Sequence, residues 1–299
     1  MKKSSAEIIH TAFDRGIAVP AFNIPYLPMM EPVIRALSDT GSFGFIMVAR
    51  LEWIKFESGS PEKIAENYHR LKNENHTRLH LDHIPVIDED NLRVDFMSVL
   101  ERAVKAGYES LMIDGSRLGL SENIKCTQDA AGFAHQHNIP IEAELGAVLG
   151  HEKGPLPSYE ELFASGRGFT SIAEAGAFIS ASGADWLSIA AGNIHGPISE
   201  AARTQQKIQA RLDTAHIAGI REKAGVPLVL HGGTGIHRDY VQEAIKNGIA
   251  KINIATAIRQ PYEKKLNCGT GAAQNAVYEA MIHIINNELA ISGLAEKLA

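Results

Sequence analysis

The sequence predicts an α/β fold, a (β/α)8 TIM barrel, from the order and the composition of its apolar segments. Eight short apolar runs alternate with longer amphipathic stretches along the 299 residues, and several runs are nearly continuous in Val, Ile and Leu. Strands buried on both faces have this composition, and right-handed crossovers let such strands close into a barrel. A doubly wound open sheet is the main alternative. Its first strand is usually followed by a glycine-rich turn, whereas here Ala-Phe-Asn-Ile-Pro occupies residues 21–25.

The elements follow one another in a regular order. The predicted strands are Val19–Ile24, Gly44–Ala49, Thr77–Asp82, Ser110–Asp114, Pro140–Leu145, Trp186–Ala190, Pro227–Leu230 and Ile249–Ile254. Helical patterns between them include Pro28–Leu37, Val94–Ala106, Glu122–His135, Ser171–Ala181 and Asp239–Lys246. We expect an extra helix, Ser4–Asp14, to close the barrel bottom, and a C-terminal helical extension near Ala273–Leu289, after a loop at 267–271. Because no Pro-, Gly- or Ser-rich linker interrupts the pattern, a single domain over residues 1–299 is predicted.

Composition narrows the function classes. Hydrophobic residues make up 45% of the chain and charged residues 21%, which is typical of a globular protein with a large core. The formal net charge of −6, without a Lys/Arg cluster, argues against nucleic-acid and membrane partners. Two cysteines form no disulfide framework or zinc-finger spacing, and neither a signal peptide nor a membrane span is predicted. We expect a cytoplasmic protein.

Polar residues and glycines follow the apolar strands. In a barrel of this type the carboxyl ends of the strands converge on the active face, so these residues are expected to meet there. Each alone is equally typical of a turn, but their recurrence after every strand predicts a functional site. In chain order they are Asn23, Arg50, Asp82 with His83, Asp114, Glu142 with Glu144, Gly192 to Gly196, His231 to Gly235, and Asn253 to Thr256.

Three histidines, His83, His195 and His231, lie at the ends of such runs. Three imidazole nitrogens bind zinc and leave one coordination position open for chemistry. Strict strand alternation would send Asp82 and His83 to opposite faces, so they share a site only if the strand ends at or just before His83, as the nearby Pro85 favours. His80, deeper in the same strand, is interpreted as structural.

Two neighbouring strand ends resemble a phosphate cup. His-Gly-Gly-Thr-Gly (231–235) lies between a strand and a helix, where glycines allow close backbone approach and unpaired N–H groups face an anion. Asn-Ile-Ala-Thr (253–256) ends the next strand. Barrels often bind phosphate with the loops after strands seven and eight. A phosphorylated small molecule is therefore the predicted ligand.

Taken together, these motifs resemble the class II, metal-dependent ketose-bisphosphate aldolases, the fructose- and tagatose-bisphosphate aldolases. The resemblance covers most of the chain and implies a barrel, a phosphorylated sugar substrate and a homodimer or homotetramer. Its motifs are Val-Pro-Ala-Phe-Asn (19–23), Leu-His-Leu-Asp-His (79–83), Met-Ile-Asp-Gly-Ser (112–116), Glu-Ala-Glu-Leu-Gly (142–146), Gly-Asn-Ile-His-Gly (192–196), Leu-His-Gly-Gly (230–233) and Ile-Asn-Ile-Ala-Thr (252–256).

The resemblance also implies roles for individual residues. The three histidines look like ligands of one catalytic Zn²⁺, and Asp114 and Glu144 like a second or resting metal position, which leaves open a second divalent or monovalent cation. Asp82 looks like the acid/base at the hydroxyl of the cleaved carbon, and Glu152 like the group that takes a proton from dihydroxyacetone phosphate. The positions expected at the substrate and its phosphate are Asn23, Arg50, Gly196, Gly232, Gly233, Thr234, Asn253, Ala255 and Thr256.

Reversible aldol cleavage requires these residue types. A metal on the ketone oxygen acts as a Lewis acid that stabilises the enediolate left by carbon–carbon cleavage, while carboxylates move the protons. The alternative is a lysine Schiff base. The sixth strand end offers no lysine, and Lys251 is expected inside strand eight. The sequence therefore favours the metal mechanism.

The sequence departs from the family pattern at positions that are expected to contact the substrate. Arg50 stands where a small hydroxyl residue is usual, and it is either an anion-binding residue or a surface arginine. Pro-Ile-Ser-Glu (197–200) replaces an aromatic and a lysine, the 149–154 loop lacks one glycine and one acid, and no arginine follows Arg259. We infer retained aldol chemistry on a substrate that can differ from fructose 1,6-bisphosphate. A metal-dependent barrel hydrolase and a non-catalytic barrel serving as a binding or assembly subunit remain alternatives.

Overall fold

Eight parallel strands close into the predicted barrel. The computed structural model describes residues 3–146, 148, 159–193 and 210–299. The strands pair in sequence order and the last pairs with the first, so that no edge is left open. They are β1 (Val19–Asn23), β2 (Gly44–Ala49), β3 (Thr77–Pro85), β4 (Ser110–Asp114), β5 (Ile141–Leu145), β6 (Trp186–Ile189), β7 (Leu228–Leu230) and β8 (Ile249–Ile254). Each overlaps one of the predicted apolar runs, although β3 extends beyond the predicted end at Asp82.

Helices surround the barrel. In the described residues they are α1 (Ser5–Arg15), α2 (Met30–Asp39), α3 (Arg50–Lys55), α4 (Pro61–Leu71), α5 (Phe96–Ala106), α6 (Leu120–Gln136), α7 (Tyr159–Ser165), α8 (Ile172–Ser182), α9 (Thr214–Ala224), α10 (Arg238–Lys246), α11 (Thr256–Lys265), α12 (Thr270–His283) and α13 (Leu294–Leu298). The loop expected at 267–271 is shorter than predicted, because a 3-10 turn (Leu266–Cys268) and Gly269 lead directly into α12. None of these helices is long and apolar enough to cross a bilayer.

The N-terminal helix α1 closes the bottom of the barrel, as predicted. Ser4 caps it in a reciprocal arrangement with Glu7: the Ser4 hydroxyl accepts from the Glu7 N–H, and the Glu7 carboxylate accepts from the Ser4 N–H. Its buried face carries Ile8 and Ile9. These pack in one apolar cluster with inward side chains of the lower barrel, namely Val19, Ala21, Phe45, Met47, Trp186 and Val229.

The inward side chains become polar toward the upper end of the barrel. Successive residues of a strand face opposite sides, so every second residue of a barrel strand points inward. The middle of the interior holds His80, Glu142 and Lys251, each fully buried. Two residues further along β5 and β8 lie Glu144 and Asn253, close to the carboxyl ends of the strands. The strand period therefore places His80, Glu142 and Lys251 in the middle of the interior and Glu144 and Asn253 at its top.

Candidate active site and metal centre

An irregularity in β3 brings Asp82 and His83 to the same site. Leu81 lies opposite Leu111 and Ile84 opposite Ile113, so β3 holds one more residue than β4 between these pairs. The extra residue forms a bulge, and His83 there has a φ of 34°, which a residue with a Cβ rarely adopts. The expectation that the strand ends before His83 was wrong, because β3 continues to Pro85. The bulge, rather than a strand end, turns the His83 side chain.

Two imidazoles meet at the upper end of the barrel. His83 Nε2 and His231 Nδ1 are 2.6 Å apart, and with Asp82 they form one group of potential metal ligands. A second group shares His83 and adds Asp114 and Glu144. In that group His83 Nδ1 is 3.2 Å from Asp114 Oδ2 and 3.9 Å from Glu144 Oε2. Five of the predicted site residues are thus within reach of one or two cations.

Two asparagines hold the Asp82 carboxylate. Asn23 Nδ2 donates to Asp82 Oδ2 and Asn253 Nδ2 donates to Asp82 Oδ1, each at 2.9 Å. These amides come from β1 and β8, which flank each other in the barrel. All three side chains are buried. The Asp82 carboxylate is therefore fixed in orientation beside the histidine pair.

The electrostatics of the site favour positive charge beside the carboxylates. Burial alone would lower the pKa of His83, but Asp82, Asp114 and Glu144 together raise it to about 10. Burial alone would raise the pKa of Asp82, yet the neighbouring His83 holds it below its usual value. Burial and then the adjacent Asp114 raise the pKa of Glu144 to about 8. An extra positive charge at this point would relieve the repulsion among the carboxylates.

The donor set fits a divalent transition metal. Buried imidazole nitrogens and carboxylate oxygens are the ligands that zinc and related ions take in proteins. Asn253 Oδ1 is buried and lacks a hydrogen-bond partner among the described residues, which marks a polar atom that a ligand would satisfy. Of the predicted zinc ligands, His83 and His231 come together, whereas His195 lies outside the described residues.

The glycine turn after β7 approaches the next strand closely. The Gly233 N–H donates to the Asn253 carbonyl at 3.1 Å, and a Cβ on Gly233 would lie only 2.5 Å from Ile252 Cγ2. Gly232 has a φ of 66°, which also favours glycine. Thr234 follows in the same turn, and Ala255, after β8, is the N-cap of α11, which begins at Thr256. The two strand ends expected to bind phosphate are thus adjacent.

Other predicted residues lie further out or outside the described part of the chain. Arg50 is the first residue of α3, and its guanidinium lies 3.5 Å from Asp88 Oδ2. Gly196 and Glu152 lie outside the described residues. So do the departures from the family pattern at 149–154 and 197–200, whereas Arg50 and the residues after Arg259 are described. Four residues after β6, Asn193 Nδ2 donates to the His231 carbonyl at 3.0 Å, so the described chain after β6 contacts the site.

Three buried ionisable residues have contacts that the sequence did not predict: Glu52 and Lys251 were given no role in the site, and Glu142 was named only among the residues at the strand ends. Glu52, in the first turn of α3, accepts from Asn23 Nδ2 at 3.2 Å and from the Ala49 N–H at 2.8 Å. Burial raises its pKa to about 8. Glu142 and Lys251 lie beneath the histidines. The sequence did contain a signal that Glu142 and Lys251 face the interior. Each lies two residues before an interior residue of the same strand, Glu144 and Asn253 respectively.

Comparisons with known proteins identify a related sequence family and related structures. Residues 3–297 match the sequence family described as "Fructose-bisphosphate aldolase class-II". The structure is similar to that of the YdjI aldolase from Escherichia coli K12, with 25% identity and a TM-score of 0.76 over 99% of this chain and 100% of that chain. A putative fructose-1,6-biphosphate aldolase from Coccidioides immitis (24% identity, TM-score 0.73, 98% of each chain) shares the fold. So does the fructose-bisphosphate aldolase Fba from Campylobacter jejuni (18% identity, TM-score 0.69, 97% of this chain and 96% of that chain).

Proposed function

Because the chain belongs to the class II fructose-bisphosphate aldolase family, we propose that it is a zinc-dependent lyase that cleaves a ketose phosphate reversibly. The products are dihydroxyacetone phosphate and an aldehyde. The observation that carries the proposal is the buried Asp82 carboxylate, fixed by two asparagines beside paired imidazoles. Cleavage next to a ketone requires a base at this type of position and a positive charge nearby.

His83 and His231 would hold the metal, with His195 as the third ligand implied by the resemblance. When bound, Zn²⁺ supplies Lewis acidity to the ketone oxygen of the substrate. Asp114 and Glu144, whose carboxylates lie next to His83, would hold a second cation position. These carboxylates would balance the charge of the ion.

Asp82 is the proposed base for the hydroxyl proton at the carbon where the bond breaks. Its oxygens already accept from Asn23 and Asn253, so the carboxylate cannot rotate freely and presents a fixed edge to the substrate. In the condensation direction the same group returns the proton. Glu152 is proposed, from the resemblance, to exchange the carbon-bound proton of dihydroxyacetone phosphate.

The substrate phosphate is proposed to bind between the turns after β7 and β8. The turn after β7 packs closely on β8, where the Gly233 N–H donates to the Asn253 carbonyl, and α11 begins at Thr256 after β8, so that its N-terminus lies next to this turn. Gly232, Thr234, Ala255 and Gly196 complete the proposed set. Arg50 is proposed to meet an anionic or polar group at the other end of the sugar, on the β2 side. A homodimer or homotetramer in the cytoplasm remains part of the proposal.

The test is an aldol-cleavage assay on a panel of ketose phosphates and bisphosphates, with dihydroxyacetone phosphate detected by enzymatic reduction. We expect cleavage of at least one substrate, its loss after chelation and its recovery on addition of Zn²⁺. Borohydride added with substrate should not inactivate the enzyme, because Lys251 is buried and paired. Chelator-resistant cleavage would rule out the metal mechanism. If the protein showed neither cleavage nor proton exchange on dihydroxyacetone phosphate, that result would point instead to a binding or assembly subunit.

A further inference from the structure

A buried ion pair lies beneath the histidine pair. Lys251 Nζ and Glu142 Oε2 are 2.8 Å apart, and both side chains are fully buried. His80 Nε2 is 3.3 Å from Lys251 Nζ, and its Nδ1 contacts the Ser110 hydroxyl at 2.9 Å. A buried ion pair is often no more stabilising than apolar residues of the same volume. Its place in the barrel therefore calls for a reason other than stability.

The second oxygen of Glu142 contacts His231. Glu142 Oε1 lies 2.8 Å from His231 Nε2. A carboxylate paired with an ammonium group is an acceptor only, so His231 Nε2 must carry the proton of this hydrogen bond. Asn253 Nδ2 is also near, at 3.1 Å from the same nitrogen. If Nε2 instead accepted from this amide, its lone pair would face a carboxylate oxygen at 2.8 Å, which is repulsive.

Protonation of Nε2 defines the other ring nitrogen. A neutral imidazole carries one N–H, so the lone pair of His231 is on Nδ1. Nδ1 is the nitrogen that lies 2.6 Å from His83 Nε2, at the centre of the first group of potential metal ligands. The carboxylate therefore fixes the tautomer and the ring orientation together, from the side opposite the ion.

We propose that Glu142, held in place by Lys251, is a positioning residue that presents His231 Nδ1 to the metal. The proposal rests on the proposed function, because it concerns the same metal. Outer carboxylates that orient ligating histidines typically change metal affinity ten- to a hundred-fold when removed. Lys251 acts one step further away, through Glu142.

Paired substitutions separate positioning from structural support. The Glu142→Leu/Lys251→Met double variant removes both charges and the acceptor together, which leaves no unpaired buried charge. The Glu142→Gln/Lys251→Met variant is its matched control, because the amide oxygen still accepts from His231 and the amide nitrogen can donate to His80. Glu109→Gln removes the charge of a carboxylate that pairs with Arg78 at 3.3 Å, before β4 at the bottom of the barrel, and serves as a remote control.

The readouts are the Zn²⁺ dissociation constant, from competition with a chromophoric chelator, and the visible absorption of the Co²⁺-loaded protein. We expect the Leu/Met variant to bind Zn²⁺ ten- to a hundred-fold more weakly than wild type and to show an altered Co²⁺ spectrum. The Gln/Met and Glu109→Gln variants should bind within a few-fold of wild type. In metal-free wild type, ¹⁵N NMR of the imidazoles should show His231 protonated on Nε2.

Each outcome decides the matter. Equal Zn²⁺ affinity and an unchanged Co²⁺ spectrum in the Leu/Met variant would overturn the proposal while leaving the proposed function intact. A wild-type protein that binds no Zn²⁺ would overturn both. The NMR measurement requires no variant, so a His231 ring protonated on Nδ1 would overturn the positioning role even if the Leu/Met variant failed to fold.

Discussion

The lower and upper halves of the barrel interior are built on the same strands but follow opposite rules. At the bottom, Phe45 and Trp186 pack against Ile8 and Ile9 of α1 in an apolar cluster. Above them the interior holds four carboxylates, three histidines and a lysine within a few residues along β3, β4, β5, β7 and β8. Apolar burial stabilises the fold, whereas buried charges have to be compensated by one another. The comparison shows that the apolar lower half stabilises a fold whose upper half contains buried charges that would lower its stability on their own.

The largest effect is expected from Asp82, in the upper half. Asp82→Asn keeps the size of the side chain but removes the base, so kcat should fall by about 10³-fold, or about 4 kcal/mol of transition-state stabilisation. Steady-state kinetics on the best ketose phosphate measure this change. Asp185→Asn, at the start of β6 on the opposite side of the barrel, is the control and should turn over normally. A loss of less than ten-fold in Asp82→Asn would assign the base elsewhere.

Glu52 tests whether the upper half lowers stability through its charges. Its pKa is raised to about 8 in the folded protein, above an unfolded value near 4.5, so the folded state binds the proton more tightly. The stabilisation from this proton is complete below pH 4.5 and is lost as pH rises to about 8. Glu52→Gln should therefore match wild type at pH 4.5 and exceed it by about 3 kcal/mol at pH 7.

Denaturant unfolding of chelator-treated protein at several pH values measures the free energy of unfolding of both proteins. The Glu101→Gln variant, at an exposed carboxylate on α5, is the control for the loss of a surface charge. If the free energy of unfolding depended on pH in the same way for Glu52→Gln and wild type, the ionisation of the buried Glu52 carboxylate would not affect stability.

The smallest effect is expected in the lower half. Ile9 is fully buried in α1 against the bottom of the barrel. Ile9→Val removes one methylene and should lower the free energy of unfolding by about 1 kcal/mol, with kcat and KM unchanged. Ile54→Val, at a side chain that is 49% exposed, should be neutral. A change in kcat with Ile9→Val would show that the two halves are coupled rather than separate in function.

Much of this architecture could be predicted from the sequence, because period and composition act locally. All eight strand positions, the closing helix α1 and the helical C-terminal extension follow from the apolar runs and their spacing. Of the described helices, the prediction did not name α3, α4, α7, α9, α11 and α13. The six residues of α3 are too few to show a helical period. The single-domain assignment over residues 1–299 and the oligomeric state stay predictions.

The site could be predicted in membership but not in geometry. Strand ends placed Asp82, Asp114, Glu144, His231 and Asn253 together. The β3 bulge could not be foreseen, because nothing in the composition of residues 79–83 requires a positive φ at a histidine. The contacts of Glu142 with Lys251 and His231 join residues 109 and 89 positions apart in sequence. Such contacts depend on barrel closure, which brings β5, β7 and β8 around one interior.

The closed bottom of the barrel has a consequence for the order of events. Because α1 and the aromatic side chains fill the lower end, the proposed ion at His83 and His231 would lie deeper than a sugar phosphate bound at the strand ends. Both would then use the upper mouth. Loading would be sequential, with the metal entering first and the sugar second, and release would follow the reverse order. A bound sugar phosphate would block the upper mouth and so prevent the ion from dissociating during turnover.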